Sequence, residues 1–286
     1  MRWTPGGRSR NLDDLRGQTG GRMIGGRGMG IGGAILALVL SLVFGVNIFD
    51  SGGGTVPQTA PGDVQQPVST TPEEEQRVQF VSFVLDDVQQ TWAQLLPKVG
   101  DQYREARLAV FRDGVRTACG DAPAAVGPFY CPADERVYLD LSFFDELARR
   151  FGAPGDFAQA YVIAHELGHH VQHVIGIEQR VRQMQDSRPG AANQLSVAME
   201  LQADCFAGVW GNSTSQRRLL EQGDVEEGLA AASAVGDDRI QAQTTGQVRP
   251  DKFTHGSAAQ RVQWFRRGLE SGDPNVCDTF GSLGRG

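Results

Sequence analysis

The sequence has little of what marks a nucleic-acid-binding, repetitive or low-complexity protein. Its 286 residues carry a formal net charge of −7, whereas binding to a polyphosphate requires a basic surface. Gly and Pro number 37 and 13, too few for wholesale disorder, and we find no internal repeat. Six Arg among residues 1–30 leave the rest of the chain more acidic still. We therefore expect a folded domain that does not bind nucleic acid.

One uncharged stretch is long enough to cross a membrane. Residues 28–49 carry no charged side chain, and about 20 apolar helical residues span the hydrocarbon core of a bilayer. Arginines precede the stretch and Asp50 follows it. The positive-inside tendency then predicts a single-pass protein of the cell (cytoplasmic) membrane, with a cytoplasmic N-terminus and an extracytoplasmic body. A cleaved signal peptide and a buried core helix are the alternatives.

The predicted organisation has four parts. Residues 1–27 form a Gly/Arg-rich cytoplasmic tail, and residues 28–49 form the transmembrane helix. Residues 50–72 mix Gly, Pro, Ser, Thr and Gln with few large apolar side chains, which predicts a flexible stalk. Residues 73–286 remain as the folded domain.

The folded part has the pattern of a small sheet followed by helices. Apolar residues at helical spacing predict a first helix that begins near Pro72 and ends near Leu95. Two strand-like stretches follow it, at 106–111 and 136–141. Five helical stretches come next, at 142–151, 156–175, 193–211, 224–235 and 257–270. This order predicts an α+β domain with a mainly helical core.

Four cysteines in an exported domain are an even number, which favours two disulfides. Cys119 paired with Cys131 would close the loop between the strands, and Cys205 paired with Cys277 would tie the C-terminal segment to a central helix. Four cysteines allow three pairings, so this one is a hypothesis. Buried free thiols are the alternative.

The most informative pattern is His165-Glu-Leu-Gly-His169 in a helical segment. Histidines at i and i+4 lie on one face, about 6 Å apart along the axis, close enough for both rings to bind one tetrahedral zinc ion. Glu166 lies beside that face and can take a proton from a zinc-bound water. The pattern alone arises by chance, but uncharged neighbours such as Val162 and Val171 are typical of a buried helix.

A catalytic zinc ion commonly takes three protein ligands. His173 lies about 12 Å along the axis from His165, and His170 points off the shared face, so we interpret both as supporting or core histidines. Glu200 and Asp204 are i and i+4 on a later predicted helix. Glu200 is therefore the candidate third ligand, and Asp204 is the candidate hydrogen-bond acceptor for a ligand histidine.

These residues resemble the gluzincin metallopeptidases and, more closely, a bacterial family of putative neutral zinc metallopeptidases. The resembling segments are C-G-x-A at 119–122, GPFYCPADERVYLD at 127–140, GDFAQAYVIAHELGHHVQ at 155–172, ELQADCFAG at 200–208 and THGSAAQR at 254–261, with the Gly/Arg-rich leader and the single span. The resemblance implies a zincin-like domain with one Zn²⁺ per chain. It implies that His165, His169 and Glu200 are the ligands and that Glu166 is the catalytic base, but it implies no substrate.

The metzincin pattern is absent, since Gln172 and Ile175 stand where that group has Gly and His. Peptide hydrolysis also needs a donor to the developing oxyanion. His255 is the candidate because it is the sequence's one histidine outside the motif helix, with Tyr138 and Tyr130 behind it. A His255 that merely caps the helix at 257–270 fits equally well.

The strand at 136–141 offers backbone groups for edge pairing with an extended substrate, or it is an ordinary core strand. The sequence as a whole predicts a membrane-anchored zinc metalloendopeptidase that hydrolyses extracytoplasmic proteins or peptides. The alternative is a catalytically silent, zinc-stabilised envelope module that binds a protein partner. Glu166 favours the peptidase, because a structural site needs no base. A metal-free helical domain is disfavoured by the spacing of Glu200 and Asp204.

Overall fold

The computed structural model describes residues 1–17, 70–123 and 126–281. The predicted transmembrane helix at 28–49 and residues 50–69 of the predicted stalk lie outside these ranges. Within them, every helix is too short or too polar to cross a bilayer. The predicted fold class is corrected accordingly: the described residues form an α+β domain, and none of the helices among them could be the predicted membrane span.

Six strands form two sheets in the described part of the chain. They are β1 (Leu12–Asp14), β2 (Arg107–Phe111), β3 (Gly114–Thr117), β4 (Gly120–Pro123), β5 (Phe129–Cys131) and β6 (Arg136–Asp140). Four of them make a mixed sheet in the order β1-β2-β6-β5, in which β5 runs antiparallel to β6 and the other neighbours are parallel. The remaining two, β3 and β4, form an antiparallel hairpin.

The two strands expected from the sequence correspond to β2 and β6, but their places in the sheet differ from expectation. Strand β6 lies between β2 and β5, so both of its edges are already hydrogen-bonded. The suggestion that 136–141 holds a substrate by edge pairing is therefore wrong. Strand β5 is the edge strand at this end of the sheet.

The first 17 residues belong to the folded domain. Strand β1 pairs in parallel with β2, with Leu12 opposite Leu108. The buried guanidinium of Arg16 donates a 2.7 Å hydrogen bond to Glu75 at the start of the first helix. These residues, predicted as part of a cytoplasmic tail at 1–27, therefore pack against the domain that was predicted to comprise residues 73–286.

Hydrogen-bonded strands lie on the same side of a membrane. The pairing of β1 with β2 therefore does not fit a tail and a domain that a bilayer separates. The predicted location at the cell membrane stays a prediction.

Eight α-helices are present in the described residues. They are α1 (Pro72–Leu95), α2 (Phe143–Arg149), α3 (Asp156–Val174), α4 (Ile177–Ser187), α5 (Ala192–Gln216), α6 (Asp224–Ala234), α7 (Asp237–Thr244) and α8 (Ala258–Ser271). The sequence patterns indicated all of them except α4 and α7. Helix α1 begins as its sequence suggests, because the side chain of Thr71 accepts a hydrogen bond from the backbone N–H of Glu74.

Helix α3, which carries the two motif histidines, runs through the centre of the domain. It packs against α1, α5 and α6, and Phe157, Tyr161 and Leu167 are among its fully buried side chains. A helix that is apolar on nearly every side is stable only when other elements cover it. The buried polar side chains of α3 are therefore exceptions that need partners.

Helices α5 and α8 touch through their backbones. A Cβ atom at Gly208 would overlap the backbone of Phe265, and one at Gly268 would overlap the carbonyl oxygen of Cys205. Both glycines are helical and have no positive φ. The close approach of the two helices, and not the backbone conformation, therefore requires glycine at these positions. The contact sets how near residues of α8 come to those of α5.

Two disulfides link loop segments to the core. One joins Cys119 to Cys131 at the end of β5, and the other joins Cys205 of α5 to Cys277 in a short 3₁₀ helix near the C-terminus. These are the two pairings proposed from the sequence.

We predict that Gly268→Ala lowers the free energy of unfolding by about 1–3 kcal/mol or more, because the new methyl group meets a backbone oxygen that cannot rotate away. Urea unfolding followed by circular dichroism measures the change. Gly190→Ala is the matched control, since Gly190 is exposed and has no atom within 4 Å of the added carbon. Equal urea midpoints for the two variants would show that the helix contact is loose.

Candidate metal centre

Three side chains converge where α3 packs against α5. His165 Nε2 lies 3.2 Å from one carboxylate oxygen of Glu200, and His169 Nε2 lies 3.5 Å from the other. Two ligand atoms about 2.0–2.1 Å from a tetrahedral zinc ion are about 3.4 Å apart. The two nitrogens and the carboxylate therefore have the spacing of a zinc site, and the set of two histidines and one glutamate is one that catalytic zinc uses.

The approach of the two helices depends on Gly168. A Cβ atom at this position would lie 3.0 Å from the carbonyl oxygen of Ala203 on α5. An added methyl group would meet the backbone of Ala203, so α5 could approach α3 less closely than it does here. The glycine inside the motif thus has a packing role that the sequence pattern alone did not reveal.

His165 is oriented by Asp204, whose side chain is fully buried. The distance from His165 Nδ1 to Asp204 Oδ1 is 2.9 Å, so the carboxylate accepts the Nδ1 proton and leaves Nε2 for the metal. The Tyr161 hydroxyl donates to the same carboxylate oxygen. The structure thus places Asp204 in the position that the sequence suggested.

Arg261 of α8 neutralises this buried carboxylate. Its Nε and Nη2 donate to the two oxygens of Asp204 at 2.8 and 2.9 Å, and 3% of the residue is exposed. Burial raises the pKa of Asp204, but the charges of Arg261 and His165 outweigh it, so the pKa lies below its usual value. Asp204 therefore stays ionised.

Sequence reasoning missed Arg261, although it falls in a segment that carried the family resemblance. The signal that could have found it is helical spacing. Ala258, Arg261, Phe265 and Gly268 are the buried residues of α8, so a charged residue occupies the face that otherwise packs. A buried arginine requires a buried acid, and Asp204 is that acid.

Glu166 lines the same cleft as the ligands but does not belong to their cluster. Burial raises its pKa, and the charges of His165 and His169 only partly offset the effect. A carboxylate with a raised pKa is a stronger base than an ordinary surface glutamate. Its position and basicity suit the transfer of a proton.

His255 lines this cleft from the loop before α8. Its Nδ1 lies 3.0 Å from Asp237, and that aspartate also accepts the backbone N–H groups of Thr254, His255 and Gly256. Burial lowers the pKa of His255, but the hydrogen bond to Asp237 and the charge of Glu200 outweigh it and raise the pKa. Ser257, not His255, caps α8, so the capping role suggested for His255 is wrong.

Tyr130 and Tyr138, the other two candidates for the oxyanion donor, use their hydroxyl groups in other hydrogen bonds. His170 Nε2 lies 2.6 Å from the carbonyl oxygen of Arg104, so this nitrogen carries the proton and His170 Nδ1 accepts from Tyr130 at 3.0 Å. The Tyr138 hydroxyl donates to Asp134. His170 thus acts as a buried core histidine, as the sequence indicated.

A family model described as "Putative neutral zinc metallopeptidase" matches residues 1–280. The chain belongs to this family. Among its relatives, the Escherichia coli (strain K12) protein YpfJ is 50% identical over 286 residues, which cover 98% of this chain and 99% of the relative. The Mycobacterium tuberculosis (strain H37Rv) protein Rv2575 is 46% identical over 212 residues, 70% of each chain. Both relatives are described as uncharacterized proteins, and no solved structure matches the chain significantly.

In this member of the zinc metallopeptidase family, we predict that Arg261→Met lowers the free energy of unfolding by about 3–5 kcal/mol, because it leaves the buried charge of Asp204 unpaired. The double variant Asp204→Asn/Arg261→Met should unfold at a higher urea concentration than Arg261→Met alone. Arg116→Met is the control, since that arginine forms an exposed pair with Asp121 and such pairs contribute about 0–1 kcal/mol. Equal losses for Arg116→Met and Arg261→Met would contradict the assignment.

Proposed function

We propose that this family member is a zinc-dependent metalloendopeptidase that hydrolyses peptide bonds of extracytoplasmic proteins or peptides. The observation that carries the proposal is the placement of Glu166 in the same cleft as the cluster of His165, His169 and Glu200. A site built only for stability uses closed tetrahedral coordination and needs no base. Three ligands with a base beside them leave a position for water or substrate.

The chain's own residues divide the work of hydrolysis between them. His165, His169 and Glu200 would hold a zinc ion, which would supply the Lewis acid that polarises a carbonyl group and lowers the pKa of water. Glu166 takes the proton from the attacking water and delivers it to the leaving amine. His255, fixed through Nδ1 by Asp237, presents Nε2 as a donor to the oxyanion.

The residues that line the cleft suit an extended peptide. Phe129 and Tyr130 of the edge strand β5 line it, and an edge strand offers backbone donors and acceptors to a strand that pairs with it. Val126, Phe143 and Val162 line it as well, which favours apolar side chains near the cleaved bond. The substrate-binding strand is therefore β5 and not β6.

The two disulfides support a substrate outside the cytoplasm. Disulfides form and persist in oxidising compartments and are rare in reducing ones. Both cysteine pairs of this domain are bonded. A peptidase that matures in such a compartment meets proteins and peptides of the cell envelope or exterior.

We predict that Glu166→Gln removes nearly all peptide hydrolysis while the protein keeps about one zinc ion per chain. The amide cannot accept the proton of water, and loss of general acid and base catalysis costs about 10²–10⁴ in rate. Zinc content is measured by atomic absorption, and hydrolysis by mass spectrometry of a mixed peptide library. The matched control is the wild-type protein with its zinc removed by a chelator and then restored.

The same experiment tests the alternative, a silent zinc-stabilised module that binds a protein partner. A wild-type protein with bound zinc and no hydrolysis of any peptide would favour that module. Full hydrolytic activity in Glu166→Gln would show that another residue is the base.

We predict that His255→Ala lowers kcat by about 10²–10³, the usual cost of removing one oxyanion donor, with little change in zinc content or KM. Because the pKa of His255 is raised, the ring stays protonated above the ordinary histidine pKa of about 6.5. The wild-type kcat should then fall as the pH rises and the ring loses its proton, and the variant should lack this fall. An unchanged kcat in His255→Ala would rule the residue out as a donor.

A further inference from the structure

The two ligand histidines are held by different chemistry. His165 donates to a buried carboxylate, whereas His169 Nδ1 lies 2.9 Å from the side-chain carbonyl oxygen of Gln172, one turn further along α3. Gln172 has no solvent-accessible surface. Such a glutamine must place every polar atom against a partner, so its contacts show why it is there.

Gln172 contacts α5 through its amide nitrogen. The Nε2 atom donates to the backbone carbonyl of Met199 at 2.8 Å and to the side-chain oxygen of Gln202 at 3.0 Å. Gln202, 4% exposed, in turn donates from its own Nε2 to the backbone carbonyl of Cys277 at 2.9 Å. A continuous buried chain of hydrogen bonds thus joins His169 to the C-terminal segment.

Two backbone carbonyls determine which atoms donate and which accept in this series of hydrogen bonds. A carbonyl oxygen accepts and never donates, so the atoms that face Met199 and Cys277 must be the amide nitrogens of Gln172 and Gln202. The oxygen of Gln172 must then face His169. An acceptor at that place requires the proton of His169 to lie on Nδ1, which leaves the lone pair of Nε2 directed toward Glu200 and the metal position.

The Cys205–Cys277 disulfide holds the last acceptor of this series of hydrogen bonds in place. Cys277, whose carbonyl accepts the last hydrogen bond, is bonded through sulfur to Cys205, one turn beyond Gln202 on α5. Without this bond, the segment that carries the last acceptor would lose its covalent link to α5 and would be held by non-covalent contacts such as the hydrogen bond from Thr279 to the backbone of Ala198. The other disulfide, Cys119–Cys131, has no contact with these hydrogen bonds among the described residues.

We infer that Gln172 and Gln202 are positioning residues that select the metal-binding tautomer of His169, and that the Cys205–Cys277 disulfide anchors them. The inference rests on the proposed function in one respect, namely that the cluster of His165, His169 and Glu200 binds zinc. It goes further by coupling metal affinity to a disulfide at the far end of the chain of hydrogen bonds.

Zinc affinity of the full-length protein, measured by competition with a chromophoric chelator, tests the inference without an assay of activity. Gln172→Met keeps the length of the side chain and removes its hydrogen bonds, and it should weaken zinc binding about 10- to 100-fold, as is typical for partners of ligand histidines. Gln202→Met should weaken binding less. The double variant should bind no more weakly than Gln172→Met alone, because residues of one hydrogen-bond network are not additive.

Matched controls separate positioning from general loss of structure. Gln89→Met removes another buried glutamine, one that accepts hydrogen bonds from Tyr103 and the backbone N–H of Ala106 and not from the residues of the cluster, and it should leave zinc affinity unchanged. Replacement of Cys205 and Cys277 by Ser should weaken zinc binding several-fold. The same replacement at Cys119 and Cys131 should have no effect on it.

Each outcome decides between the two proposals. If wild-type protein binds zinc and Gln172→Met binds it equally well, the positioning role is wrong and the proposed function stands. Additive losses in the double glutamine variant, or equal losses for the two cysteine pairs, would also overturn the inference. A wild-type protein that binds no zinc would overturn the proposed function and, with it, the role of the two glutamines.

Discussion

The geometry of the candidate metal centre depends on the buried ion pair between Asp204 and Arg261. The carboxylate fixes the ring of His165, and the guanidinium allows that carboxylate to stay charged inside the domain. Two charges without water are tolerated only when their hydrogen bonds are complete. The close contact of α5 with α8 at Gly208 and Gly268 sets how near the helices that carry Asp204 and Arg261 come to each other, so the packing of these two helices affects the geometry of the cleft.

The two candidate ligand histidines, His165 and His169, meet one requirement in two ways. To bind a metal ion through Nε2, each ring must keep its proton on Nδ1. A carboxylate achieves this for His165 at the cost of a buried charge, which Arg261 must balance. Neutral amides achieve it for His169 with no charge to balance, but they need a chain of acceptors that ends on a fixed carbonyl. A neutral acceptor for His169 therefore adds no buried charge that the domain must neutralise.

The sequence alone was sufficient to predict the candidate site residues that are identified by their spacing along a helix. His165, His169 and Glu200 lie on periodic helices, and helix α3 was predicted within one residue of its observed end at Val174. Strand β1 was missed because three residues are too few to show a period of two. Arg261 was missed because the prior expectation for an arginine is an exposed site. In both cases, the deciding contact is with a residue distant in the chain, which local patterns do not report.

Helix α5 carries most of these contacts in nine consecutive residues. Glu200 faces the histidines, Gln202 continues the hydrogen bonds of Gln172, Asp204 meets Arg261, Cys205 forms the disulfide and Gly208 touches α8. Each residue of an α-helix turns the chain by about 100°. Insertion or deletion of one residue within this stretch would therefore rotate part of the set away from its partners, whereas substitution alters one contact at a time. Evolution can change the length of this protein in its loops far more readily than in these two and a half turns.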